Sequence, residues 1–139
     1  MGEIDGFSQE TGLTREEIEK YLDYLDEAMD EYERFVNNIG NNGLAAKLLL
    51  DYRDEIQDLL EILQGKVDLK EYWEDLIKLD QIVRARRITL VREIGNKNFV
   101  MEQIRRSPPK TRWWWYLNKY EPQKPQQSFW ESFGFKRKE

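Results

Sequence analysis

Residues 14–43, TREEIEKYLDYLDEAMDEYERFVNNIGNNG, decide the fold. Thr14-Arg15-Glu16-Glu17 is a capping box, in which the Thr14 hydroxyl and the Glu17 carboxylate satisfy N–H groups that a first helical turn leaves without partners. Ile18, Tyr21, Leu22, Leu25, Ala28, Met29, Tyr32, Val36 and Ile39 then recur at three- and four-residue spacing. At 100° per residue they share one stripe, and the acids between them face water. Gly40-Asn41-Asn42-Gly43 stops the helix, because Gly and Asn supply the left-handed conformations of a helix end.

The same pattern repeats twice. A second helix is expected from Leu44 to Gln64, with Ala45, Leu48, Leu49, Tyr52, Ile56, Leu59 and Leu63 as its stripe and Gly65 at its end. A third opens with Asp68 as N-cap and Glu71 three residues on. It runs to Ile94 on Leu69, Tyr72, Trp73, Leu76, Val83, Leu90, Val91 and Ile94, and Gly95 closes it. Short connections force antiparallel neighbours, so the expected fold is all-α, an antiparallel three-helix bundle with a C-terminal aromatic, Pro-containing arm. The expected division is a flexible N-terminus at 1–13, the bundle at 14–95, an arm packed on it at 96–121, and a linker with a tail motif at 122–139.

Two features of the third helix break its pattern. Asp80 and Arg87 project near the middle of the apolar stripe, and Arg84 lies one turn beyond Asp80, where an ion pair can form. Two readings stay open. Either these long side chains reach the bundle's edge and are half-wet, or they form a desolvated network with acids from other helices. Ile77 and Ile88 point away from the stripe and, with the off-face Leu50, call for a cover.

That cover is expected from the arm. Asn98 is placed to cap a short helix from Phe99 to Arg106, which Pro108 and Pro109 end. Next comes Arg112-Trp113-Trp114-Trp115-Tyr116-Leu117, whose consecutive rings no strand or helix can turn toward a single surface. One face is therefore expected on the bundle and the other free for docking, with Trp113, Trp114, Trp115 and Tyr116 as candidate binding residues. After a Pro/Gln linker, Phe129, Trp130, Phe133 and Phe135 form a second candidate motif, followed by Lys136-Arg137-Lys138.

Charge is sorted along the chain. Residues 1–80 carry 22 acidic and 8 basic side chains, and residues 81–139 carry 5 acidic and 14 basic, within a net charge of −5. An acidic body with a basic aromatic arm points to a binder, although the arm also serves to neutralise its own body. The 139 residues amount to one domain, and their 35% charged content suits long solvent-facing helices. No apolar run approaches the roughly 20 residues that span a bilayer, and the N-terminus has no signal-peptide pattern. The expectation is a cytoplasmic protein.

The chain has no cysteine and no histidine. Thiolate chemistry, His-based acid–base catalysis and sites with His or Cys ligands are thereby excluded. No cofactor or metal is called for. The favoured class is a non-enzymatic helical adaptor or scaffold whose arm and tail meet another protein with an acidic or apolar groove. Self-association through the tail is compatible with this. Single-stranded nucleic acid is the alternative ligand, through Arg84, Arg86, Arg87, Arg92, Arg105, Arg106, Lys110 and Arg112 beside the aromatics. The acidic body and the absence of a motif count against it. A third class is a Mg-dependent, all-α nucleotide pyrophosphatase-like hydrolase, for which Glu27/Asp30/Glu31, Asp51/Asp54/Glu55/Asp58 and Glu71/Glu74/Asp75 have suitable spacing.

The segment Ser107-Pro108-Pro109-Lys110-Thr111-Arg112-Trp113-Trp114-Trp115-Tyr116-Leu117 resembles segments of small uncharacterised helical proteins of cyanobacteria. It covers about a tenth of the chain. The resemblance implies a photosynthetic host, with partners in photosynthetic or carbon-fixing assemblies. It points to no active or binding residue.

Overall fold

A computed structural model describes residues 12–119. Among them are five α-helices and no strand: α1 (Arg15–Val36), α2 (Lys47–Leu63), α3 (Lys70–Ala85), α4 (Arg87–Ile94) and α5 (Asn96–Arg106). Two 3-10 segments, Gly43–Ala45 and Trp113–Lys119, complete the order. The protein is all-α, but its body is not three continuous helices.

The first helix forms as its sequence dictates. Thr14 N–H donates to Glu17 Oε1 at 2.9 Å, and Glu17 N–H donates to Thr14 Oγ1 at 3.1 Å, closing the capping box. Leu25, Ala28, Met29, Tyr32, Val36 and Ile39 of its stripe are buried. α2 returns along α1, with Phe35 and Tyr52 in ring contact at 5.8 Å where the two helices meet. α3 then lies beside α1 in the same direction. Tyr72 Oη donates to Asp26 at 2.6 Å near one end, and Tyr32 Oη donates to Asp80 at 2.7 Å nearer the other.

Three expectations need correction. The α-helical part of the second segment starts at Lys47 rather than Leu44, because Gly43–Ala45 winds as a tighter 3-10 turn and leaves Leu44 in water. Asp68 does not cap from the N-cap position. Its side chain accepts Lys70 N–H at 3.0 Å, and Leu69 stands at the cap. The third helix is broken at Arg86, whose φ of −107° and ψ of 23° are not helical. The break lets α4 leave the line of α3 and cover the α1–α2 turn, where Glu93 Oε2 accepts Asn42 N–H at 3.2 Å. Leu90 and Ile94 are buried in that arrangement.

The chain turns at Gly95 and enters α5 at Asn96, three residues before the Phe99 start that an Asn98 cap would give. Asn98 instead donates from its amide to Ile94 O at 2.6 Å. α5 buries Phe99 and Glu102 and ends at Ser107, whose φ of 44° is left-handed. The arm then folds back, and α2 packs against α1 on one side and against Trp113–Lys119 on another. Leu50 is fully buried, as required of a residue one turn before Arg53 and Asp54, which meet the arm. Ile77 and Ile88 are 50% and 58% exposed, so the cover expected over them does not reach.

Gly95 holds φ 96° and ψ 130°, a region that side-chain-bearing residues enter only with strain. A Cβ there would come no closer than 3.5 Å to a neighbour, so backbone conformation alone sets the cost. Gly95→Ala should lower stability by about 1–3 kcal/mol, read as a reduced urea midpoint with an unchanged slope.

Candidate functional site

The arm is fastened to α2 chiefly through the carboxylate of Asp54. Asp54 Oδ1 accepts Trp114 Nε1–H at 2.8 Å, Trp115 Nε1–H at 2.9 Å and Arg112 Nη1–H at 3.0 Å. Asp54 Oδ2 accepts Arg106 Nη1–H at 3.1 Å. Both cations also lie over indoles. The Arg106 guanidinium sits 4.6 Å from the Trp115 ring centre, and that of Arg112 5.9 Å from Trp114. Arg112 Nη2 reaches Asp58 at 2.6 Å, and Arg106 Nη2 reaches Asp51 at 3.4 Å. Burial alone would lower the Arg112 pKa, but Asp58 and Asp54 outweigh it and raise the group above its ordinary value.

A 3-10 turn makes this geometry available. With about three residues per turn, successive side chains leave the axis about 120° apart, and Tyr116 breaks the turn at φ −121°. Trp114 and Trp115 are each 1% exposed, whereas Trp113 and Tyr116 are half-buried. Tyr116 Oη donates to Pro108 O at 2.5 Å. Gln103 Nε2 donates to Trp115 O and Asn118 Oδ1, both at 2.9 Å, which ties α5 to the arm.

A second hub joins the three long helices. Arg53 Nε donates to Asp80 Oδ1 and Nη2 to Asp80 Oδ2, each at 3.0 Å, while Tyr32 Oη donates to the same Oδ1. Arg53 is 4% exposed and its guanidinium lies 4.1 Å from the Trp114 ring centre. Burial, then the Asp80 charge, pushes the Tyr32 phenol well above its ordinary 10.0. Of the expected network Asp80, Arg84 and Arg87, Asp80 is the anchor. Arg84 stacks on Trp113 at 3.9 Å, and Arg87 is half-buried. The principal counter-charge to Asp80 is Arg53, which the sequence reading passed over. Its signal was present: Arg53 lies four residues after Leu49 and three before Ile56, inside an apolar stripe.

Glu102 is the third ionic centre, reached by Arg105 Nη2 at 2.6 Å, Arg106 Nε at 2.6 Å and Lys47 Nζ at 3.6 Å. Burial alone would raise its pKa. The Arg105 hydrogen bond and the charges of Lys47, Arg106 and Arg105 outweigh that and hold it below 4.5.

The outer side of the arm is different. On α5, Val100, Met101 and Ile104 are 38%, 56% and 76% exposed, opposite the buried Phe99 and Glu102. A groove of about 570 Å³ also runs between α1 and α3, floored by Met29 and Leu79 and rimmed by Asp26, Asp30, Glu33 and Asp75. In it, burial, the hydrogen bond to Asp26 and nearby acids push Tyr72 up to about 12. Phe129, Trp130, Phe133 and Phe135 lie outside the described residues, as do the first eleven residues. Of the acids with metal-like spacing, Asp51, Asp54 and Asp58 are taken by Arg106 and Arg112. Among the described residues no group of three or more acids could hold a metal ion, and no helix is long and apolar enough to cross a membrane. No family model, curated protein or solved structure matches this chain.

Asp54→Ala would leave two indole N–H groups and two guanidinium groups short of an acceptor. It should cost about 3–5 kcal/mol in chemical denaturation, the range for removing one partner of a buried charged pair. A cost under about 1 kcal/mol would mean that Asp54 is not what holds the arm.

Because the folded pKa of Glu102 is depressed, its stabilisation is present above pH 4.5 and is lost as pH falls through the folded value. Glu102→Gln should therefore melt below the parent at neutral pH. The two melting temperatures should converge as pH falls through the depressed pKa of Glu102.

Proposed function

We propose that this chain is a non-catalytic helical adaptor that holds a protein partner through the outer side of its arm and through its tail. The observation that carries the reading is the double-faced α5. Its inner face is fixed by Phe99, Glu102, Gln103 and Arg106, yet Val100, Met101 and Ile104 stand in water with Lys97 and Arg105 beside them. A helix whose only task was to brace the bundle would carry polar residues there. Exposed apolar side chains with flanking cations fit a groove with an apolar floor and an acidic rim.

The docking role therefore shifts within the arm. Trp114 and Trp115 act inward, and Trp113 and Tyr116 have only their outer edges to offer. Phe129, Trp130, Phe133 and Phe135 supply the second element of the reading. If the resemblance of the Pro-Pro and Trp-triplet segment holds, the partners belong to photosynthetic or carbon-fixing assemblies, and the reading takes the protein as cytoplasmic. Single-stranded nucleic acid draws less support, since Arg84, Arg106 and Arg112 already stack on indoles of their own chain.

The test is the double variant Met101→Asp/Ile104→Asp in the full chain. Both positions are exposed, so stability should stay within about 0.5 kcal/mol of the parent per site. Partner capture should fall at least tenfold, which is about 1.4 kcal/mol. Capture should vary little with salt, whereas steep loss between about 50 and 200 mM salt would mark a nucleic-acid ligand. Unchanged capture by the double variant would remove α5 from the interface.

A further inference from the structure

The latch between arm and body stops short of the end of the surface it occupies. On α2, Asp51, Asp54, Asp58 and Glu61 follow one another at intervals of three and four residues, which makes a single acidic ridge. Arg106 occupies Asp51 and Asp54, and Arg112 occupies Asp54 and Asp58 and comes within 4.0 Å of Glu61. The side chains of Asp58 and Glu61 nevertheless remain 60% and 59% exposed.

α3 shows the same interrupted cover. Asp80 and Arg84 are its residues that meet Arg53 and Trp113. Ile77 lies three residues before Asp80, and Trp73 four before Ile77, so all four share one side of the helix. Ile77 and Trp73 are both exposed. Beyond Trp113, then, an apolar strip on α3 and an acidic ridge on α2 continue without cover from the described residues.

We propose that residues 126–139 of the same chain dock along this strip, with Phe129, Trp130 and Phe133 on Trp73 and Ile77 and with Lys136-Arg137-Lys138 toward Asp58 and Glu61. The surface continues an interface that already binds an Arg-Trp segment of this chain, and the segment offered has the same aromatic and cationic composition. Length permits it. From Arg84 to Trp73 is about 16 Å along a helix. The nine residues from Tyr120 to Ser128 span up to about 30 Å extended. The proposal goes beyond the adaptor reading and does not depend on it. Where both hold, a partner must take the tail away from the body.

Disulfide trapping in the full chain tests this, since the sequence has no cysteine of its own. Glu74→Cys beside Trp73 is paired with Ser132→Cys in the tail, and the control pairs Asp23→Cys, on the solvent side of α1, with Ser132→Cys. All three positions lie outside the proposed contacts. At low protein concentration the monomeric disulfide should form at least tenfold faster with Glu74→Cys than with Asp23→Cys. Adding Ile77→Asp should bring the faster rate down to the control. Equal rates at the two positions, or a fast rate that Ile77→Asp leaves unchanged, would overturn the proposal. A disulfide-linked dimer through position 74 would overturn it in favour of the tail of a second copy. Loss of partner capture in Met101→Asp/Ile104→Asp has no bearing on these rates, so the two readings fail separately.

Discussion

Four donors converge on the carboxylate of Asp54, and the seating of Trp113–Lys119 against α2 depends on them. A carboxylate has about four lone-pair sites, so Arg106, Arg112, Trp114 and Trp115 together come close to saturating it. Each indole that donates to Asp54 also has a guanidinium over its face, so one group satisfies the ring edge while another meets its π cloud. An apolar surface alone could not have oriented three consecutive tryptophans. Hydrophobic burial has no direction, whereas a shared acceptor selects the one backbone turn that brings two neighbouring N–H groups to the same oxygen.

Arg53 carries that constraint into the body. It binds Asp80 through Nε and Nη2 while its planar face lies against Trp114, so α2, α3 and the arm meet at one buried cation. Tyr32 brings α1 to the same carboxylate. Buried ion pairs of this kind add little net stability, because desolvation offsets most of the Coulomb attraction. Their effect is on register. A one-turn slip of α3 against α2 would move Asp80 about 5.4 Å from its partner and strand both charges. Part of the sorted charge thus has an internal purpose, for Arg106 and Arg112 of the basic arm are held by acids of α2.

The local half of this was legible in the sequence. The capping box at Thr14, the stripe through Tyr32 and the glycine at position 95 all follow from rules that act within a few residues, although α1 ends at Val36, ahead of the stop expected at Gly40-Asn41-Asn42-Gly43. Asp80 stood out because it broke an apolar stripe. What could not be read were the pairings made across space. Asp54 looked like one more solvent-facing acid among many, because nothing in its neighbours says that an arm some sixty residues later will cover it. The break at Arg86 was hidden for a related reason. The apolar period continues through it, and only the need to cover the α1–α2 turn bends the chain there. The residue type of Trp114 and Trp115 is common in interfaces and so points to docking, and the same bulk and amphipathic rings make them the largest fully buried side chains among the described residues.

The arm therefore divides its residues by face. Substitutions among Asp54, Arg106, Arg112, Trp114 and Trp115 share a partner, so their effects on stability cannot add. Once Asp54 is gone, the loss of a second member should cost less than it does in the parent, because the bond to Asp54 is already broken. Val100, Met101 and Ile104 share no partner with that cluster, and changes there are free to alter a binding surface without reaching the latch. A single eleven-residue helix, α5, can in this way be held rigidly from one side and varied from the other. That is the physical condition for a docking surface built on a firm support, since a face that is held in place loses less entropy when a partner meets it.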